Sequence, residues 1–79
     1  MTLGQIISEN RNKKSMTQQE LADKAGISRS HLAALETGHY SPSLNTLVRI
    51  AHAMDLRLEL RFVNPKTPEV QHNGSTHRI

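Results

Sequence analysis

The chain is 79 residues long with 35% hydrophobic residues, enough for one domain and too short to bury a large core, so a partner surface would add to its marginal stability. Ten Lys and Arg against seven Asp and Glu give a net charge of +3 and a pI near 9.8, which favours an anionic partner such as nucleic acid. With no cysteine there is neither a disulfide framework nor a thiolate metal site, no apolar run approaches a membrane span, and "MTLGQIISEN" lacks the layout of a secretory signal; a cytoplasmic protein is expected.

In chain order, Leu3, Ile6 and Ile7 share a helical face, predicting a first helix from about Thr2 to Lys14 that ends in cations suited to a helix C-terminus. Thr17 with Glu20 three residues on is a capping box. It opens a second helix at Gln18 that turns Leu21, Ala22 and Ala25 inward and stops at Gly26. Ser28 caps a third helix with Leu32 and Leu35 buried, up to Gly38. "HYSPS" is loop. Ser43 then caps a fourth helix whose apolar face, Leu44, Leu47, Val48, Ile50 and Ala51, runs to about Met54.

From Asp55 to Val63 the period changes. Leu56, Leu58, Leu60 and Phe62 alternate with Arg57, Glu59 and Arg61, as in a strand with one buried face. Beyond it, residues 64–79 hold two prolines and few apolar residues and read as a flexible tail. The expected division is 1–54 for the helical domain, 55–63 for the strand and 64–79 for the tail.

The segment Gln18–Thr37 carries the strongest functional signal. Two short helices crossing steeply through a tight turn need a small residue where they approach, a glycine able to take positive φ, and apolar residues closing the angle. Ala22, Gly26, and Leu21, Ala25, Ile27, Leu32 and Leu35 meet these requirements. This constellation, with the blocks "TQQELADKAGIS", "LETG" and "SPSLNTLVRIA", resembles the Cro/C1 (XRE)-type helix-turn-helix regulators over about Leu3 to Met54. The resemblance implies an all-α, phage-repressor-like bundle of four helices. It also implies a structural ion pair between Arg11, late in the first helix, and Glu36, at the end of the third.

In such a fold the third helix enters the major groove of double-stranded DNA with its N-terminal residues at the base edges. Arg29 is the expected principal reader, since a guanidinium binds guanine O6 and N7 together; Ser30 can bond either base type, and Ala33 or Ala34 can touch a thymine methyl. Thr17 and Gln18 are expected to hold a phosphate, helped by backbone amides at that helix start. Ser28, His31, Thr37, His39, Tyr40, Ser43 and Asn45 are further candidates for backbone contacts.

Catalysis is not expected. The five histidines, His31, His39, His52, His72 and His77, are scattered without metal-ligand spacing or a carboxylate cluster, and no metal or cofactor is implied. His52, between Ala51 and Ala53, reads as a half-exposed structural residue. A protein-interaction module that keeps the fold as scaffold is the other alternative.

A lone strand with four large apolar residues invites pairing, and two-fold symmetry would set it antiparallel to its own copy in a homodimer. A symmetry axis at Glu59 opposes like charges, Arg57 facing Arg61. An axis at Leu58 sets Arg57 against Glu59, Asp55 against Arg61 and Leu56 against Leu60, and is preferred; an axis at Leu60 ranks second. The dimerisation set is therefore Leu56, Leu58, Leu60 and Phe62, with Arg57 and Glu59 selecting register. Here the chain is similar to the HipB-like antitoxins, whose C-terminal strand pairs with its copy. That resemblance implies a repressor of its own operon, acting on a palindromic operator, that also binds a HipA-type kinase toxin. A phage-type or restriction-control regulator without a toxin stays open, as do three roles for the tail: toxin-contacting arm, degradation tag or disordered segment.

Overall fold

The computed structural model describes residues 2–65 and holds four helices, α1 (Leu3–Lys13), α2 (Gln18–Ala25), α3 (Arg29–Thr37) and α4 (Leu44–Ala53). Each begins in the same way. Thr2, Thr17, Ser28 and Ser43 stand at the N-caps in extended backbone, and each side-chain oxygen accepts a hydrogen bond from the amide three residues on. At Thr2 and Thr17 the bond is returned by Gln5 and Glu20, completing capping boxes.

The ends are equally uniform. Each helix closes at a left-handed residue, Ser15, Gly26, Gly38 or Asp55. The next amide reaches back five positions: Met16 to Arg11, Ile27 to Ala22, His39 to Ala34 and Leu56 to Ala51, at 3.1, 3.0, 2.9 and 2.8 Å. This satisfies carbonyls that a helix end otherwise leaves without partners.

The core forms where α2 packs on α3 and α4 while α1 packs on α3. Leu21, Leu32, Leu35 and Ile50 are fully buried at its centre, with Ile7, Ala22, Ala25 and Met54 around them. Gly4 is buried where α1 crosses the end of α3. A Cβ there would stand 2.5 Å from the backbone carbonyl oxygens of both Leu35 and Glu36, so only glycine permits the approach.

Four expectations need revision. Residues 56–64 have no regular secondary structure and no strand occurs among the described residues. A strand needs a ladder partner, and one copy of the chain does not supply it. Asp55 belongs to the closure of α4, not to the extended segment, because its φ is +58°. Leu3 and Ile6 share a helical face with Ile7, but only Ile7 is buried; the other two are 39% and 42% exposed. His52 is exposed rather than half-exposed. The tail expectation, with His72 and His77, falls almost wholly on residues 66–79, outside the described residues.

Candidate nucleic-acid interface

The turn between α2 and α3 is Gly26, Ile27 and Ser28. Gly26, at φ +74°, reverses the chain, Ile27 tucks partly against the core, and Ser28 starts α3 immediately. Leu32 and Leu35 anchor the inner side of α3. Its outer side at the N-terminus then consists of Ser28, Arg29, Ser30 and His31, all exposed, with Ala33 and Ala34 half-buried behind them. The residues expected to read bases thus run from the first residue of one helix to its middle. Three of its surface groups are short, which lets a helix sit close to an opposing surface.

The ring of His31 meets Tyr40 edge to face, centroids 5.8 Å apart, and so ties the loop after α3 to its first turn. His39 stands against Thr37, with Nδ1 2.7 Å from the threonine Oγ1. Since the Thr37 hydroxyl also reaches the carbonyls of Ala33 and Ala34 at 3.1 and 3.2 Å, its one hydrogen is engaged within the chain. Ser43 is in the same position, donating to Thr46 Oγ1 at 3.0 Å. Thr17, Tyr40 and Asn45 are exposed and Gln18 half-buried.

At the other end of α3 lies a polar network. Arg11 donates from Nε to Glu36 Oε2 at 2.8 Å and from Nη2 to Glu36 Oε1 at 3.1 Å, a bidentate pair with side chains only 14% and 6% exposed. Its remaining nitrogen, Nη1, donates to the Met16 carbonyl at 2.8 Å. Gln18 completes the group by donating from Nε2 to Glu36 Oε1 at 3.0 Å. The network joins the ends of α1 and α3 to the start of α2. A primary amide has two N–H hydrogens, so Gln18 retains one for an outside acceptor.

Sequence reasoning placed Arg11, Glu36 and Gln18 but did not connect the glutamine to the pair. It also missed Gly4, whose close approach brings α1 against the Glu36 end of α3. The signal was present, a glycine inside an amphipathic helix where alanine would be favoured by about 1 kcal/mol. Among the described residues no group of His, Asp or Glu could hold a metal ion, and no helix is long and apolar enough to cross a membrane.

Comparison with known proteins agrees with this geometry. A helix-turn-helix family model matches residues 7–60. The immunity repressor protein of Bacillus phage phi105 is 45% identical over 58 residues, which span 73% of this chain and 40% of the phage protein. The restriction-modification controller C.AhdI of Aeromonas hydrophila superposes with a TM-score of 0.67 at 33% identity, over 68% of this chain and 82% of that one. SinR, a master regulator for biofilm formation solved in complex with DNA, gives 0.66 at 32% identity, over 70% and 89%. The family and these relatives are DNA-binding regulators, not enzymes. The chain belongs to the helix-turn-helix family of transcriptional regulators.

Proposed function

We propose that this protein is a sequence-specific, cytoplasmic transcriptional repressor that binds a palindromic operator as a homodimer, with α3 in the major groove. The observation that carries the reading is the exposed N-terminal end of α3, Ser28 to His31, on a helix held at its other end by Arg11, Glu36 and Gln18. Arg29 reads guanine, Ser30 adds a weaker bond, and Ala33 and Ala34 offer methyl contact to thymine. Thr17, the second N–H of Gln18 and the first amides of α2 hold a phosphate, which fixes α3 in depth and register. Ser28, His31, His39, Tyr40 and Asn45 add backbone contacts; Thr37 and Ser43 would have to break internal bonds to join them. Since Arg29 is the lone Lys or Arg on α3, tight binding needs two copies, and affinity falls with added salt.

Arg29→Ala is the direct test. Fluorescence anisotropy with operator DNA should show a loss of about 1–3 kcal/mol, with relaxed preference at one base pair and an unchanged melting curve. Full retention of operator affinity would remove Arg29 as the reader, and a parent protein that binds no operator DNA would favour the scaffold reading.

Two finer readings have separate support. The alternating segment 56–63 favours a HipB-like antitoxin that represses its own operon and binds a HipA-type kinase. The phage immunity repressor and the restriction-modification controller favour a phage-type or restriction-control regulator without a toxin. Co-purification with the product of an adjacent kinase-like reading frame would decide for the first, and its absence beside a phage or restriction locus for the second.

A further inference from the structure

Between α1 and α4 lies an apolar groove of about 320 Å³, with Leu3 and Ile6 on one wall, Leu47 and Met54 on the other, and Leu56 and Leu58 along its edge. Arg57 and Glu59 stand at its rim, 83% and 71% exposed and bonded to each other at 3.0 Å. The same segment continues into Leu60, 67% exposed, and Phe62, wholly exposed. An open apolar groove and a protruding apolar arm therefore adjoin each other on one chain.

We infer that the occupant of this groove is the arm of a second copy, with Leu60 and Phe62 of each protomer seated against Leu3, Ile6 and Leu47 of the other. This deepens the homodimer reading above and rests on it. Three observations carry it. The first is charge: an antiparallel ribbon with its axis at Leu58 sets Arg57 against Glu59 of the second copy, so the two internal pairs of the separate protomers are exchanged for two crossed ones and no charge is left without a partner.

The second is the backbone. The Leu56 amide is committed to the Ala51 carbonyl at 2.8 Å and cannot donate across a ribbon. Leu56 must then occupy a pair without ladder bonds. By alternation Leu58 does too, while Arg57 and Glu59 exchange the bonds with the second copy. An axis at Leu58 fits that pattern, and the charge pairing selects it over the axes at Glu59 and Leu60.

The third is facing. Residues directly opposite each other in a ribbon project to the same side. Leu56 and Leu58 face the groove, so Leu60 of the second copy, opposite Leu56, faces it as well. Phe62 of the second copy comes opposite Met54, over the groove itself. Because Asp55 is left-handed, the regular ribbon covers Leu56 to Leu60 only. Phe62 lies past its end, held by apolar contact instead of ladder bonds.

The chain has no tryptophan, so Phe62→Trp in the full-length protein introduces a single indole at the key position. Sedimentation velocity and tryptophan emission are followed over the same dilution series. The expected result is emission that moves to the blue over the concentration range in which dimer forms. Ile6→Ser in that background should abolish the shift and weaken dimerisation about tenfold or more. Ile6 lies outside the core cluster and Phe62 is exposed, so circular dichroism should report an unchanged monomer fold. A dimer whose indole stays in water, or whose blue shift survives Ile6→Ser, would overturn the groove assignment and leave the ribbon standing. Absence of a dimer at every concentration would remove the dimer reading itself, and this inference with it.

Discussion

The α2–α3 unit and the segment from Leu56 to Pro65 are both plain patterns in the sequence, yet only the first is a finished structure in one chain. In α2–α3 each demand of the backbone is met within a few residues: Thr17 and Ser28 cap the starts, Gly26 and Gly38 close the ends, and Leu21, Leu32 and Leu35 meet in the core. In the arm the apolar period is just as regular, but burial fades along it from Leu56, packed on the core, to Phe62, in water. Helices bond to themselves and strands bond to others. The stability of the first region belongs to the chain; in the dimer proposed above, that of the second depends on concentration.

The largest expected effect bears on the first region. Glu36→Ala leaves the Arg11 guanidinium enclosed without its carboxylate and removes the acceptor of Gln18, costing about 3–5 kcal/mol in a thermal melt. An unchanged melting temperature would mean the pair is not structural. Gly4→Ala drives a methyl into the Leu35 and Glu36 carbonyls, and a loss of about 1–3 kcal/mol is expected. Thr17→Ala removes one cap and should cost about 1 kcal/mol. All three losses should be independent of protein concentration.

Leu60→Ser reverses that test. It should leave the melting of dilute monomer as it was and lower the melting temperature only where the parent is dimeric, because association stabilises by mass action. Equal destabilisation at all concentrations would show that the arm packs on its own chain. The smallest effect is a gain. Ser15→Gly relieves a left-handed serine at φ +56° and, after the added freedom of the unfolded chain, should raise stability by a few tenths to about 1 kcal/mol.

The same contrast explains what the sequence revealed. Three of the four N-caps, Thr17, Ser28 and Ser43, and the Gly26 turn could be read in advance because each signal acts within four residues of the structure it makes; Thr2, expected inside the first helix, caps it instead. The Arg11–Glu36 pair followed from family resemblance, since nothing in local spacing joins residues 25 apart. Gly4, Ser15 and Asp55 were not legible in their roles. Gly4 answers to a distant backbone, and serine and aspartate give no glycine-like sign of positive φ. Leu3 and Ile6 show the limit of periodicity: it identified an apolar face, and could not say that part of that face would open onto a groove.

The hydrogen bond from the Leu56 amide to the Ala51 carbonyl has a bearing on the genome as well as on the fold. It fixes the direction in which the arm leaves α4, and α4 packs directly on α2, which packs in turn on α3, the recognition helix of the proposed function. In a dimer built through the arm, that bond would set the rotational phase between the two recognition helices, which for successive major grooves must be roughly 34 Å apart. One residue inserted after Asp55 would turn the arm's faces over. Such a protein could keep its half-site preference intact and still fail on its operator, unless the spacer between the half-sites changed length with it.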